Sequence, residues 1–130
     1  MAKNRTADAG MLNISFETPE GVGLEKNQIV EIVDDLTVNK PQSDGSTKVI
    51  GICAFGNSSD STEKVVVHTK GRLLRTKESA GTVAVGPVVT ESESDRVKAY
   101  DSNSHDSAAI IGWALETAGQ AGVDILILLK

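Results

Sequence analysis

The sequence predicts an all-β protein, a small β-barrel or β-sandwich (β-tulip-like) body with an internal pseudo-repeat and an extended N-terminal arm. Short runs of β-branched and apolar residues recur along the whole chain. Turn-forming clusters of Gly, Ser, Asp and Asn separate these runs. No segment keeps a helical apolar stripe over several turns, as a surface helix would.

The chain opens with a polar stretch that leads into an alternating strand. Leu12, Ile14 and Phe16 lie on one side of this strand, with polar residues between them. The elbow that follows, TPEGVG, contains one proline and two glycines, which break regular structure. We therefore predict an N-terminal arm and elbow over residues 1–23 and a β-rich body over residues 24–130.

The apolar side of the arm has two possible positions. It either folds back on its own body or adds to the edge of a neighbouring chain. In the second case the residues that contact the neighbouring chain are Leu12, Ile14 and Phe16.

The body contains eight further runs that predict strands, because each is β-branched or apolar and is bounded by turn residues. In order they are QIVEIV (28–33), TKVIGICAF (47–55), KVVVHT (64–69), RLLRT (72–76), GTVAVGPVVT (81–90), RVKAY (96–100), AAIIGWAL (108–115) and VDILILL (123–129). The run at 108–115 is also part of the best helix candidate. Its β-branched pair and Gly112 favour a strand instead.

Two of these runs share a pattern of branched aliphatic residues around a glycine. VIGI, centred on Gly51, aligns with IIGW, centred on Gly112, at an offset of 112 − 51 = 61 residues. Flanking runs align at nearly the same offset, which predicts two similar strand groups that share one core. Gly51 and Gly112 are then structural glycines, which mark a bulge or a close backbone crossing.

Charge and composition exclude several classes of partner. The formal net charge is -5, which argues against neutralising the phosphates of duplex DNA. Aromatic residues are 3% of the chain, too few for a platform on which single-stranded bases stack. The longest apolar run, ILILL, is too short to span a bilayer. We predict a soluble protein made in the cytoplasm, with no nucleic-acid or membrane partner.

Metal and cofactor motifs are incomplete. The stretch GVGLEK lacks the spacing and the following helix of a phosphate loop. The turn DSNSHD places Asp101, Asn103, His105 and Asp106 close together, as in a calcium loop. It lacks the glycine and the glutamate that an EF-hand needs at its sixth and twelfth positions. A solvated turn is favoured, and no metal and no cofactor are predicted.

No catalytic residues are predicted, and the protein is not expected to be an enzyme. The chain has no G-x-S-x-G elbow, and His68 fits a strand histidine. Cys53, the single cysteine, lies in an apolar strand and fits a buried small side chain that forms no intrachain disulfide. Trp113 is interpreted as a core residue in preference to an interface anchor, because small residues flank it.

The motif series KNQIVEI, KVIGICAFG, KVVVHTKGRLL, GTVAVGPVV and AAIIGWALETA…VDILILL resembles the capsid cement (decoration) proteins of tailed bacteriophages over about residues 20–130. The resemblance implies a compact β-fold on the outside of the mature head. It implies binding to the major capsid protein after expansion, bracing of the shell, and in many relatives a homotrimer. Basic residues that could meet an acidic capsid surface are Lys64, Lys70, Arg72, Arg75 and Lys77, although a solvated strand face is favoured.

Two other functions stay open at this point. The first is a β-barrel binding module for host-surface or carbohydrate attachment, against which the scarcity of aromatic residues argues. The second is a small hydrolase that uses His68 or His105, for which no substrate is indicated.

Overall fold

A computed structural model describes residues 13–57, 63–69, 71 and 73–130 of the chain. Within these residues the fold consists of β-strands and a short 3-10 turn at Ser107–Ala109. The strands are β1 (Asn13–Phe16), β2 (Ile29–Asp34), β3 (Thr37–Asn39), β4 (Val49–Phe55), β5 (Val65–Thr69), β6 (Leu73–Glu78), β7 (Gly86–Thr90), β8 (Val97–Ala99), β9 (Gly112–Ala114) and β10 (Asp124–Leu129). The predicted all-β class is confirmed.

The strands form two antiparallel sheets of identical topology. The first sheet has the order β1-β5-β4-β2-β3, and the second has the order β6-β10-β9-β7-β8. Adding five to each strand number of the first sheet gives the second, so the predicted pseudo-repeat is confirmed. We call strands β1–β5 the first half and strands β6–β10 the second half. Gly51 pairs with Thr69 and Gly112 with Leu129, at matching points of the two sheets.

Each sheet curls until its first strand reaches its last. An isolated parallel bridge joins Glu17, just after β1, to Thr37 at the start of β3. The matching bridge in the second half joins Ser79, just after β6, to Val97 at the start of β8. These bridges shield strand edges that would otherwise be open to pairing with other chains.

Strand β3 was not predicted, because it is only three residues long and follows β2 after a tight turn. The predicted strand at 81–90 is shorter in the structure and begins at Gly86. The run at 108–115 divides into the 3-10 turn and the short strand β9. None of the described helical segments has the length and apolar character needed to cross a bilayer.

The strand predicted for the arm pairs within the chain. Its residues Asn13–Phe16 lie antiparallel to β5, with Phe16 opposite Val65. Phe16 is buried in the core of the first half, whereas Ile14 is 37% exposed. Leu12 lies outside the described residues. The division of the chain at residue 23 stays a prediction.

Two buried clusters form the core, and the larger one joins the halves. The smaller cluster consists of first-half residues, which are Phe16, Leu24, Val30, Val38, Cys53, Val65 and Val67. The larger cluster is built mainly from the second half, including Ile111, Ile125 and Ile127. It also contains Ile29, Val49 and Ile52 from the first sheet. Burial of these three side chains holds the two halves together through the hydrophobic effect.

Candidate functional site

The outer side of the second sheet carries an exposed apolar row. Leu128 of β10 lies directly between Leu74 of β6 and Trp113 of β9, and Trp113 in turn lies opposite Pro87 of β7. Because directly opposed residues point to the same side of a sheet, these four side chains are neighbours. Leu74, Leu128 and Trp113 are 52%, 37% and 49% exposed.

Leu115 extends this apolar surface along the strand direction. It lies two residues beyond Trp113, is 43% exposed, and its N–H donates to the carbonyl of Leu126 at 2.9 Å. An apolar groove of about 290 Å³ lies beside Trp113 and Leu128. We call the surface formed by Leu74, Trp113, Leu115 and Leu128 the Trp113 face. Contiguous exposed apolar surface of this kind is typical of sites that bind another macromolecule.

The interpretation of Trp113 as a core residue was wrong. Gly112 and Ala114 are buried, and alternate residues of a strand point to opposite faces, so Trp113 must point outward. The small residues on either side of it do not pack around the ring. They are the inward-facing positions of β9, and this alternation was readable in the sequence.

Gly51 and Gly112 sit where two strands approach too closely for a side chain. A Cβ atom at Gly51 would overlap the backbone carbonyl of His68, and one at Gly112 would overlap that of Leu128. Both obstructing groups are main-chain atoms of the paired strand, so no rotamer change can relieve the overlap. Gly56 has the same constraint against Leu24, and no pattern in the sequence singled it out.

A buried ion pair fastens the halves beside the larger cluster. The Lys77 ammonium contacts the Asp95 carboxylate at 2.8 Å and also donates to the carbonyl of Asn27. Asp95 Oδ1 in turn accepts the N–H of Ile29 at 2.8 Å. The side chains of Lys77 and Asp95 are 2% and 41% exposed. Burial lowers the pKa of Lys77, and the neighbouring Asp95 carboxylate partly opposes that shift.

Lys77 was grouped with the basic residues of a possible capsid-facing surface, and this is wrong for Lys77 because its ammonium is buried between the halves. No sequence motif indicates Asp95 as its partner, because Asp95 lies in the polar turn ESESD. Lys70 and Arg72 lie outside the described residues.

A second polar contact between the halves is more exposed. Lys98 of β8 binds the Asp44 carboxylate at 2.8 Å, and this contact lowers the pKa of Asp44. The N–H of Gly45, next along the chain, donates to the carbonyl of Thr90 at 2.9 Å. The loop before β4 is therefore tied to the second half at two points.

The predicted turn at 101–106 uses its polar atoms internally. Asp101 Oδ1 accepts the N–H of Asn103 at 2.9 Å, and His105 Nδ1 accepts the N–H of Asp101 at 3.0 Å. Asp106 caps the 3-10 turn by accepting the N–H of Ala108 at 2.9 Å. Within the part of the chain that the structure describes, no three His, Cys, Asp or Glu side chains are grouped to hold a metal ion. A polar cleft of about 560 Å³ adjoins this turn and includes Tyr100.

The remaining candidates for chemistry are His68 and Cys53. His68 Nδ1 is buried and is the one such side-chain atom among the described residues without a hydrogen-bond partner. Burial raises the pKa of the Cys53 thiol to about 11, so it stays protonated at neutral pH and is a poor nucleophile. Neither residue lies in a described cluster that would activate it.

The two described apolar residues of β1 are expected to differ sharply in their contribution to stability. Phe16→Ala should lower the free energy of unfolding by about 3 kcal/mol, because it leaves a cavity in the smaller cluster. Ile14→Thr should cost about 1 kcal/mol or less, because the side chain is partly exposed and threonine keeps the β-branch. Urea unfolding of both variants measures the difference. Equal losses would contradict the placement of Phe16.

The fold corresponds to that of a solved bacteriophage protein. Its crystal structure, of the head fibre gp8.5 N base of bacteriophage phi29, superposes with a TM-score of 0.61. The match covers 92% of this chain and 94% of that chain, at 12% sequence identity. At this identity the likeness establishes a shared fold. No known protein-family model matches the chain, and no curated protein matches it significantly.

Proposed function

We propose that this chain is a structural virion protein of a tailed bacteriophage, which binds the outside of the expanded capsid and cements major capsid protein subunits. The observation that carries the proposal is the correspondence, over 92% of the chain, with the base of a phage head fibre. The resemblance of the motif series to capsid cement proteins supports the same role.

The physical properties of the chain suit this role. A cement protein stabilises a shell by burying surface across joints between subunits, and many copies add their modest binding energies. The Trp113 face supplies exposed apolar surface for such contacts. The net charge of -5 suits a protein that need not contact the packaged DNA. The role is non-catalytic, and we propose a homotrimer as the bound form.

The arm is the proposed second contact region. Phe16 is buried in its own chain, so Leu12 and Ile14 are the members of the predicted contact set to test for binding. Ile14 lies on β1, which is a terminal strand of the first sheet.

Binding to isolated capsids tests the proposed function. The purified protein should bind expanded capsids that lack it, at a fixed number of copies per shell, and should raise the temperature at which those shells release DNA. Unexpanded procapsids are the matched control and should bind less. Expanded capsids that retain no protein after sedimentation, at concentrations where the protein stays folded, would rule the proposal out.

A further inference from the structure

The internal repeat shows what covers the equivalent of the Trp113 face in the first half. In the first sheet, Ile29 of β2 lies opposite Ile52 of β4. Pro87 and Trp113 are their counterparts in the second sheet, because Gly51 and Gly112 occupy matching positions next to Ile52 and Trp113. Ile29 and Ile52 are each 1% exposed, whereas Trp113 is 49% exposed. The position of Trp113 is therefore exposed in the second half, whereas the equivalent position, Ile52, is buried in the first half.

The cover over Ile29 and Ile52 is the second half itself. Both side chains belong to the cluster that contains the second-half core. The loop between β7 and β8 contributes polar contacts at the edge of this joint. Gln28 Nε2 donates to the carbonyl of Ser94 at 3.1 Å, and the N–H of Ile29 donates to Asp95 at 2.8 Å.

The first half has a counterpart of that loop, which makes no polar contact with the second half among the residues that the structure describes. It is the turn between β2 and β3, which we call the β2–β3 turn. Two exposed apolar residues lie at this turn, Val33 at 37% and Leu36 at 67% exposure. The chain thus presents an open apolar face on its second half and an exposed apolar turn on its first half. Through the internal repeat, these two surfaces are the counterparts of the two sides of the joint between the halves.

We propose that the Trp113 face of one copy binds the first half of a second copy, with the β2–β3 turn of that copy at the edge of the contact. The joint between copies then repeats the joint within the chain. The joint between copies is less polar than the joint within the chain. Within the chain the N–H of Ile29 donates to Asp95, but its counterpart Pro87 has no N–H to donate. An apolar contact in place of that hydrogen bond agrees with the exposed Leu36 and Trp113 side chains.

A contact of this kind is head-to-tail, since two different surfaces meet. Head-to-tail contacts generate a closed ring when a whole number of copies, each rotated by the same angle, completes one full turn. The inference rests on the homo-oligomeric part of the proposed function and not on capsid binding. It can therefore be tested with purified protein alone.

Light scattering coupled to size exclusion measures the number of chains per particle. The unmodified chain should form a closed oligomer at micromolar concentration. Trp113→Ser and Leu36→Ser should each weaken self-association by about 100-fold, because each removes a large apolar side chain whose burial the contact would provide. Phe55→Ser is the matched control, because Phe55 is also 67% exposed but belongs to neither the Trp113 face nor the β2–β3 turn. It should keep the mass of the unmodified chain.

Mixing the two variants distinguishes head-to-tail from face-to-face packing. Trp113→Ser retains an intact β2–β3 turn and Leu36→Ser retains an intact Trp113 face, so the mixture should form a complex with one chain of each. If Leu36→Ser keeps the mass of the unmodified oligomer, the face binds something other than the turn and the inference is wrong. A monomeric unmodified chain that still binds expanded capsids would also overturn it, and would assign the Trp113 face to the capsid protein. Circular dichroism verifies that each variant is folded.

Discussion

Gly51→Ala and Gly112→Ala should each lower the free energy of unfolding by about 3 kcal/mol, at the upper end of the cost of overpacking a protein interior. For a domain of this size such a loss lowers the melting temperature by roughly 10 °C. The reason is that the added methyl group overlaps a main-chain carbonyl of the paired strand, at His68 for Gly51 and at Leu128 for Gly112. The overlap can be relieved only if the two strands move apart. That movement would weaken the hydrogen bonds between them, so the substitution destabilises the fold.

Gly81→Ala is the matched control for these two substitutions. A Cβ atom at Gly81 meets no heavy atom within 4 Å, and its backbone needs no left-handed conformation. This substitution should be neutral or should raise stability by a few tenths of a kcal/mol, because alanine restricts the unfolded chain. Thermal melts of the three variants under identical conditions give the comparison. An unchanged midpoint for both Gly51→Ala and Gly112→Ala would refute the structural role of the two glycines.

The Lys77–Asp95 ion pair of the second half should lose different amounts of stability when one or the other partner is removed. Asp95→Asn should cost about 3 kcal/mol, because it leaves the Lys77 ammonium buried without a counter-charge. Lys77→Met should cost about 1 kcal/mol, because Asp95 is partly exposed and water can solvate its carboxylate. The double variant Asp95→Asn/Lys77→Met should be more stable than Asp95→Asn alone. Urea unfolding of all three variants at neutral pH measures these differences.

The pH dependence follows from the direction of the Lys77 pKa shift. Burial holds the pKa of Lys77 below its value in the unfolded chain. Between those two pKa values the unfolded state binds more protons, so stability rises as pH rises through that interval. In Asp95→Asn the interval between the folded and unfolded pKa values of Lys77 widens, because the carboxylate that raises the pKa of Lys77 in the folded state is gone. Stability of this variant should therefore climb from neutral to alkaline pH relative to the double variant, which lacks the lysine. If the free energies of unfolding of Asp95→Asn and of the double variant changed equally with pH, the burial of a charged Lys77 would be contradicted.

The strand pattern and the repeat were predictable from local sequence, because β-branched runs and turn residues act over short distances. Alignment around Gly51 and Gly112 predicted two similar strand groups before any pairing was known. The pairing of Lys77 with Asp95 was not predictable, since β6 and the loop between β7 and β8 meet only in the folded second half and neither residue lies in a recognisable motif. The interpretation of Trp113 was wrong because small flanking residues do not indicate a buried ring in a strand. Gly112 and Ala114 are buried, so the residue between them points to the opposite face.

The unequal make-up of the two buried clusters has a consequence for the order of folding. The smaller cluster is complete once residues 16–67 are available. The larger one needs three side chains from the first sheet in addition to its own. During synthesis from the N-terminus the first half can therefore collapse as soon as β5 has left the ribosome, and it then serves as a template for the second half. A chain released before β10 would expose Ile29 and Ile52, a signature that quality-control factors can recognise.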